Sequence, residues 1–298
     1  MLHTTKKITL RSAIAALVAF GLTAVTSSAM AVTLDQIKDR GYVRIAVANE
    51  IPYGYVDVGG NAKGAGPDVA TAVLKNMGIE DIQWTVTDFG SLIPAVKANR
   101  VDMVAAEMAI LPQRCEAVDY SAPNSTYGEG LMVAKGNPKD IHSFEEFAER
   151  DDLTVAIMSG ADQLEYMQAL GVPQSQMIMV NANTDAIAAV ATGRADAYAA
   201  TGLTAYNLSQ KSDKVQFVDN FEDPVIDGEV VRSWGGFVFD ESSDEFRKAF
   251  NEALKEYKKT DEWAETLHSY GFNKTDTQAS FEKTTEELCG DSYDAAEG

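Results

Sequence analysis

Arg114 is the side chain whose type and position point most directly to chemistry. It follows a predicted apolar strand, residues 101–106, within the segment 107–121. In open α/β sheets, ligands bind in the crevice outside the carboxyl ends of the strands. A guanidinium at such a place can donate two parallel, charge-assisted hydrogen bonds to a ligand carboxylate. The position predicts a carboxylate clamp, although an arginine in an ordinary surface turn fits this stretch equally well.

Two further loops carry groups that can contact a small molecule. Proline and glycine break any regular element after the predicted strand 43–47 and leave Glu50 and Tyr53 on a loop. The predicted strand 154–158 runs into residues 159–162, whose backbone amides at a helix start can bind an anion. Both loops are therefore candidates for binding.

The elements that must position these groups alternate between strand and helix. Strands are predicted at 43–47 and 82–86, with a helical apolar pattern between them. A second, smaller set of the same kind runs through residues 154–200. This order predicts an α/β fold with parallel sheets built from βαβ units. Residues 143–146 resemble a capping box that opens a helix, and residues 245–258 predict an amphipathic helix.

Residues 1–31 are predicted to be a signal peptide. A basic start precedes an apolar run at 13–25, and Ala29-Met30-Ala31 has the small residues of a cleavage site. The run is short for a bilayer span, and neither a cysteine at the cleavage site nor a twin arginine is present. We expect Sec-type export and cleavage after Ala31, with an uncleaved anchor as the alternative. The 298-residue chain would then keep 267 residues, enough for one large or two ordinary domains.

The charge of the chain argues against several classes of partner. The formal net charge is −20, and it becomes −23 without the three basic residues of the predicted signal peptide. So acidic a surface argues against nucleic acid or an anionic membrane as a partner. The spacing of His142 and His268 fits no zinc site, and we expect no metal and no cofactor.

The two cysteines, Cys115 and Cys289, allow a single pairing within the chain. Disulfides persist in exported proteins, so we predict a disulfide between them. It would tie the polar C-terminal segment beside the Arg114 loop. Free thiols or a metal pair are the alternatives.

Seven short segments along the chain carry a family resemblance. They are Val43-Arg44-Ile45-Ala46-Val47, Gly64-Ala65-Gly66-Pro67-Asp68-Val69-Ala70, Asn99-Arg100-Val101-Asp102-Met103, Pro112-Gln113-Arg114, Val118-Asp119-Tyr120-Ser121, Gly193-Arg194-Ala195-Asp196-Ala197, and Trp263 with Gly271. Together they span almost the whole mature chain, which resembles the periplasmic solute-binding proteins of ABC importers, in the polar amino-acid branch (family 3). Within it, residues 48–55 and Arg114-Cys115 are most similar to the ectoine and hydroxyectoine binders.

The resemblance implies a two-lobed periplasmic-binding-protein fold (type II), in which each lobe is a βαβ sheet with flanking helices and two crossings join the lobes. Lobe 1 would comprise residues 32–129 and 229–275, and lobe 2 residues 130–228. Residues 276–298 would be a C-terminal extension, disordered in part. The resemblance further implies a periplasmic monomer that encloses a small zwitterion as its lobes close, and whose closed form is read by an ABC permease in the inner membrane.

The resemblance also assigns partners to the ligand carboxylate. Arg114 would be the main one, through its planar fork of donors. The backbone amides of Gly160 and Ala161, together with the side chain of Asp162, would assist it.

For the positive group of the ligand, Tyr53 and Phe89 would supply aromatic faces and Glu50 a neutralising carboxylate. Typical amino-acid binders of this family carry an aspartate after the strand equivalent to 195–200, and it takes the α-ammonium; this chain has Thr201 there. A buried primary ammonium needs three acceptors. This departure therefore predicts poor binding of common amino acids and favours a delocalised or shielded cation.

A second departure concerns the aromatic cage of the ectoine binders. In those proteins a third aromatic residue precedes the arginine loop, whereas Met108 and Ala109 stand there in this chain. We expect Tyr127 or Trp234 to supply the missing wall, and we include Trp234 in the predicted site. The predicted ligand is ectoine or hydroxyectoine.

Two other functions remain open. One is the binding of a common polar amino acid, which would use the same fold and the same arginine. The other is an enzyme, because the fold also hosts cyclohexadienyl dehydratases, in which Glu107 and Glu50 would have to supply the general acid. We expect no enzymatic activity, because the sequence offers no nucleophile–base pair, metal site or phosphate loop.

Overall fold

Residues 32–290 are described by the structure, which is a computed structural model. The predicted signal peptide with its cleavage site, and the tail 291–298, lie outside the described residues. Within residues 32–290 the strands are, in chain order, β1 (Tyr42–Val47), β2 (Tyr55–Val56), β3 (Ala62–Lys63), β4 (Asp81–Val86), β5 (Met103–Ala109), β6 (Asp119–Tyr120), β7 (Ser125–Tyr127), β8 (Glu129–Ala134), β9 (Val155–Met158), β10 (Met177–Val180), β11 (Ala197–Thr201), β12 (Val215–Phe217), β13 (Val225–Ile226), β14 (Glu229–Val230) and β15 (Ser233–Phe239).

Two mixed sheets organise these strands. The first has the order β4–β1–β5–β15–β6, with β7 also paired to β15. In it, β1 runs parallel to β4 and β5, and β15 runs antiparallel to its neighbours. The second has the order β10–β9–β11–β8–β12, with β9 parallel to β10 and β11 and with β8 antiparallel to β11 and β12. The prediction of an α/β fold with two βαβ sheets and flanking helices is confirmed.

Helices cover both sheets. In chain order they are α1 (Leu34–Arg40), α2 (Ala65–Asn76), α3 (Leu92–Lys97), α4 (Pro112–Cys115), α5 (Glu146–Glu149), α6 (Gln163–Ala169), α7 (Asn183–Ala191), α8 (Gly202–Ser209), α9 (Asp244–Tyr257), α10 (Asp261–Ser269), α11 (Lys274–Ala279) and α12 (Thr285–Cys289). Phe246 and Phe250 of α9 contact Phe237 and Phe239 of β15 edge to face, with ring centroids 4.9 to 5.5 Å apart. Among the helices of residues 32–290, none is long and apolar enough to cross a membrane.

The chain passes between the two sheets twice. It leaves the first sheet at Tyr127 and enters the second at Glu129, and it returns through residues 218–232, which include the hairpin of β13 and β14. We refer to the parts of the chain that carry the first and the second sheet as lobe 1 and lobe 2. The predicted residue bounds of the lobes stay a prediction.

The capping box predicted at residues 143–146 is wrong. Helix α5 begins only at Glu146, and no side chain caps it. The Glu146 side chain accepts a hydrogen bond from the backbone amide of His142 at 2.6 Å, and Ser143 forms a β bridge to Glu222 in the return crossing. Pairing with a distant segment therefore holds Ser143 in extended backbone and delays the helix.

The C-terminal residues 276–290 are largely helical, in the last part of α11 and in α12. A disulfide joins Cys289 of α12 to Cys115 of α4, with the two Cα atoms 5.7 Å apart. The disulfide expected from the sequence is therefore present, and it places the end of the described chain beside the loop that carries Arg114.

Candidate functional site

A narrow cavity lies between the lobes, at the carboxyl ends of β1, β5, β9 and β11. It is lined by Glu50, Tyr53, Phe89, Ala106, Glu107, Ala109, Tyr127, Met158, Ala161, Asp162, Gln163, Tyr198, Ala200 and Thr201. The centre of a water-sized sphere can occupy about 20 Å³ of it, which is room for about one water molecule. The lobes are thus closed on each other, and a solute of amino-acid size requires them to part or the lining side chains to move.

Arg114 is positioned by the loop that follows β5. The strand ends at Ala109, and Pro112 at the first position of α4 suits a helix start because its missing N–H needs no partner there. Nη1 of Arg114 donates to the carbonyl of Ala109 at 2.8 Å, and Nη2 donates to the carbonyl of Gly160 at 2.9 Å. The guanidinium carbon lies 5.8 Å from the centroid of the Phe89 ring. The fork of Arg114 therefore bridges a carbonyl of lobe 1 and a carbonyl of lobe 2.

The backbone amides of Gly160 and Ala161 were predicted to bind the solute carboxylate, and the closed structure shows other contacts for these two residues. Gly160 has a φ of 82°, a left-handed value that suits glycine, and it presents its carbonyl to Arg114. The amide of Ala161 donates to the carbonyl of Met158 at 3.0 Å and closes a turn. In this closed arrangement the carbonyl of Gly160 occupies the arginine, and the Ala161 amide is engaged inside lobe 2.

Three carboxylates from different segments lie at or near the cavity: Glu50 and Asp162 line it, and Glu129 is close enough for the charge of Asp162 to act on it. Glu50 accepts a hydrogen bond from Thr204 Oγ1 at 2.8 Å, which ties the β1 loop to α8 of lobe 2. Asp162, a buried residue, accepts from Ser233 Oγ at 3.0 Å. Glu129, also buried, accepts from Gln163 Nε2 at 2.6 Å.

The electrostatics of these acids favour a positive partner. Burial raises the pKa of Glu50 to about 7, against the opposing effect of the Thr204 hydrogen bond, and the charge of Asp162 raises it further. Burial and the charge of Asp162 raise the pKa of Glu129 well above its ordinary value. The part of the Asp162 side chain in holding a carboxylate stays a prediction, and its negative charge would oppose such a contact at short range. Its carboxylate suits the positive end of a solute.

The aromatic wall of the cavity differs in one member from the prediction. Tyr53 and Tyr127 pack edge to face with centroids 5.0 Å apart, and the Tyr127 hydroxyl donates to the carbonyl of Glu107 at 2.8 Å. Tyr127 thus lines the cavity. Trp234 does not: its indole N–H donates to the carbonyl of Ala279 at 3.0 Å. The inclusion of Trp234 in the predicted site is corrected, because that ring packs under the C-terminal helices.

Thr201 lies at the end of β11 and lines the cavity. Its hydroxyl caps α8, accepting from the backbone amide of Thr204 at 3.3 Å. Burial raises the pKa of Tyr53. The Thr201 side chain near its hydroxyl partly opposes that rise. The capping role explains why a threonine suits this position, the last of β11 and the one directly before α8.

Both carboxylate oxygens of Glu107, a cavity residue, are hydrogen-bonded within lobe 1. Its backbone has a positive φ of 48°, and its two carboxylate oxygens accept from Asn124 Nδ2 at 2.7 Å and from Ser125 Oγ at 2.5 Å. Burial raises the pKa of Glu107 against these two hydrogen bonds. The oxygens needed by the dehydratase hypothesis are therefore engaged inside lobe 1.

Sequence reasoning missed Tyr198, Gln163 and Met158 as cavity residues. Tyr198 and Ala200 alternate with Ala199 along β11 and so share one face of the strand. That alternation was a usable signal for Tyr198. Nothing in the pattern marks Gln163, whose contact with Glu129 joins residues 34 positions apart.

We expect Glu50 to make stability depend on pH. Its folded-state pKa of about 7 exceeds the ordinary 4.5, so the folded protein binds the proton more tightly than the unfolded chain. The resulting stabilisation is complete below pH 4.5 and is lost as the pH rises through 7. Denaturant unfolding of wild type and Glu50→Gln at pH 4.5 and 7.5 measures it, with Glu80→Gln, at an exposed position, as the matched control. An equal pH dependence in wild type and Glu50→Gln would contradict this assignment.

Comparison with known proteins finds a matching family, a similar sequence and a similar structure. A family model described as bacterial extracellular solute-binding proteins, family 3, matches residues 43–274. The "Probable amino-acid ABC transporter periplasmic-binding protein y4tE" of Sinorhizobium fredii is 56% identical over 261 residues, which cover 87% of this chain and 86% of that protein. The crystal structure of EhuB in complex with hydroxyectoine superposes with a TM-score of 0.78 at 29% identity, over 86% of this chain and 97% of the other.

A further structural similarity bears on the enzyme alternative. The ancestral amino-acid-binding protein AncCDT-1, described as a precursor of cyclohexadienyl dehydratase, superposes with a TM-score of 0.69 at 26% identity. The superposition covers 80% of this chain and 99% of that one.

Proposed function

The chain belongs to the bacterial extracellular solute-binding proteins of family 3, and we propose that it captures ectoine or hydroxyectoine in the periplasm for an ABC importer. The observation that carries the proposal is the charge distribution at the cavity. The carboxylates of Glu50 and Asp162 line it beside aromatic rings, and Arg114, which is not itself a lining residue, donates to the carbonyl of the lining residue Ala109. A small zwitterion matches this distribution. The relative named as a probable amino-acid ABC transporter periplasmic-binding protein also supports a small zwitterion as the solute, since amino acids are zwitterions.

The carboxylate of the solute would take the place of the Gly160 carbonyl at Arg114. When the lobes part, the bond between Nη2 and Gly160 breaks, because its two atoms belong to different lobes. The freed donor and the retained contact to Ala109 then present one edge of the guanidinium to the cleft. A carboxylate carries a full negative charge and can accept two parallel hydrogen bonds from the guanidinium, whereas the carbonyl is neutral and accepts one from Nη2, so the solute is the stronger partner.

The cationic ring of ectoine would lie among the aromatic residues and acids. Tyr53, Phe89 and Tyr127 supply faces and edges, and each favourable cation–π contact is worth roughly 0.5 to 2 kcal/mol. A cyclic amidinium spreads its charge over a flat ring and offers N–H donors to Glu50. Binding of such a cation would also favour the ionised form of Glu50.

A common polar amino acid is the second candidate, and Asp162 is the observation that favours it. A primary ammonium at Thr201 lacks the aspartate that typical members of the family supply. The carboxylate of Asp162, which lines the same cavity and accepts from Ser233, offers an acceptor from another segment. Its presence makes the choice between the two classes of solute an experimental one.

Calorimetry with the mature protein separates the candidates. We expect ectoine or hydroxyectoine to bind more tightly than glycine betaine, which has no N–H for Glu50 to accept. We also expect them to bind more tightly than glutamate, glutamine, arginine or proline. Micromolar binding of an amino acid together with no heat from ectoine would favour the second candidate. A parallel thermal-shift screen adds sensitivity, because a ligand at 1,000 times its dissociation constant stabilises by about 4 kcal/mol.

The enzyme alternative has its own test. The dehydratase hypothesis needs a general acid at the cavity, and both oxygens of Glu107 already accept hydrogen bonds. We expect no turnover of prephenate by the purified protein. Measurable turnover that is lost in Glu50→Gln would replace the binding proposal by an enzymatic one.

A further inference from the structure

The C-terminal segment, residues 274–290, contacts the loop that carries Arg114 and residues next to both crossings. Its helix α12 is joined to α4 by the disulfide between Cys289 and Cys115, and Cys115 is the neighbour of Arg114. Thr285 Oγ1 donates to the carbonyl of Ser121 at 2.7 Å, just beyond the arginine loop. The segment is therefore attached to the chain at two points on the C-terminal side of Arg114.

The same segment ties the two crossings together at one residue, Asp276. Its backbone carbonyl accepts from Thr126 Oγ1 at 3.0 Å, on the strand that precedes the first crossing. Its carboxylate pairs with Arg232 at 2.5 Å, directly before the strand that follows the second crossing. Arg232 Nε also donates to Thr126 Oγ1 at 2.9 Å, so each of the three residues is bonded to the other two, with Asp276 using both its carboxylate and its backbone carbonyl.

A buried lysine anchors the middle of the segment. Nζ of Lys258 donates to the carbonyls of Pro123 at 2.6 Å and Ser280 at 3.2 Å. It also lies 4.0 Å from the centroid of the Phe281 ring. The carbonyl of Ala279 accepts the indole N–H of Trp234 at 3.0 Å. These contacts hold the segment against β15 and the residues before β7.

Helix α4 has only four residues and needs such support. A helix this short is not stable by its own hydrogen bonds, because the cost of nucleation is spread over too few residues. A binding group must be held within about 0.5 Å of its productive position to be effective. The disulfide at Cys115 supplies a covalent restraint one residue from Arg114.

We propose that the C-terminal segment is a positioning element for solute binding, which fixes Arg114 relative to the two crossings through Cys289 and Asp276. The proposal rests on the proposed function in one respect, since it takes Arg114 as the partner of the solute carboxylate. Loss of either attachment lets the arginine loop or the crossings move independently. The solute then binds to a cleft whose carboxylate partner is misplaced.

The first test measures affinity in folded variants. Calorimetry with ectoine, hydroxyectoine and L-arginine is applied to Cys115→Ser/Cys289→Ser and to Arg232→Gln, which keeps the disulfide. The control is Lys139→Gln, which removes an exposed ion pair with Asp152 in lobe 2. We expect at least a tenfold loss of affinity in the first two variants and no change in the control. Wild-type affinity in both folded variants, with only a lower unfolding midpoint, would overturn the proposal.

A double-mutant cycle tests whether the segment acts through the arginine. In an Arg114→Ala background, the serine pair should cost less than twofold in affinity, because the group that it positions is gone. An undiminished tenfold loss in that background would overturn the assignment of Arg114 as the intermediary. If Arg114→Ala alone leaves affinity unchanged, the proposed role of Arg114 fails instead.

A measurement without solute keeps the inference separate from the proposed function. Hydrogen exchange of the ligand-free protein reports local opening at residues 111–118 and 125–130. We expect at least tenfold faster exchange at 111–118 in the serine pair, at 125–130 in Arg232→Gln, and at neither site in Lys139→Gln. Wild-type exchange at both sites would overturn the positioning role, whichever solute the protein binds.

Discussion

Replacing Arg114 by alanine is expected to weaken solute binding by at least about 2 kcal/mol, or about 30-fold, while the protein stays folded. In the variant, the carboxylate of the solute would be desolvated without a charged donor. The bond from Nη2 to the Gly160 carbonyl does not enter this estimate, because the solute carboxylate replaces that carbonyl when it binds. Calorimetry with the best solute of the screen measures the loss.

Two variants control this experiment. Arg114→Lys should recover only part of the affinity, since an ammonium cannot reproduce two parallel hydrogen bonds. Arg100→Ala removes an exposed arginine and should bind like wild type. If Arg114→Ala unfolds at the wild-type midpoint and binds with wild-type affinity, Arg114 serves only as a bridge between the lobes.

The general position of the arginine was predictable because the signals that place it are local. Strand β5 is buried at every residue, so its apolar run stands out in the sequence. The residues that follow such a strand in an α/β fold lie at the edge where ligands bind. The alternation of strand and helix likewise follows from patterns a few residues long, and it gave the fold class.

The orientation of Trp234 was not predictable, because it depends on a segment far away in the sequence. Alternation along β15 places Trp234 and Gly236 on one face, but it does not say what covers that face. The carbonyl that accepts the indole N–H belongs to Ala279, 45 residues later. A C-terminal segment that was predicted to be partly disordered thus supplies the partner.

The charge of the cavity was predicted only in part, for a related reason. Glu50 was recognised from its loop, but Glu129, the first residue of β8, was passed over. Asp162 was predicted to assist at the carboxylate end of the solute, because the sequence does not show that the charges of Glu50 and Glu129 lie near it. A carboxylate near other carboxylates attracts the positive end of a zwitterion, even where neighbouring backbone amides could bind an anion.

Removing the disulfide is expected to have the largest effect on stability. The bond closes a loop between residues 174 positions apart, and the chain-entropy model gives about 5 kcal/mol for a loop of that length. Engineered and natural disulfides often contribute less, so we expect a loss of about 2 to 5 kcal/mol in Cys115→Ser/Cys289→Ser. The protein should remain folded at 25 °C, because the loss is smaller than the stability of most domains of this size.

Denaturant unfolding of the mature protein measures this effect. The midpoint should fall in the serine pair, and the slope m should rise, because the unfolded chain exposes more surface without the cross-link. Reduced wild type is the matched control: it has the native atoms and no bond, and it should resemble the serine pair. Thiol titration of the unfolded, unreduced wild type should find no free thiol, since Cys115 and Cys289 are bonded. Two titratable thiols, or a midpoint that neither reduction nor the serines lower, would mean that the cross-link does not stabilise the native chain.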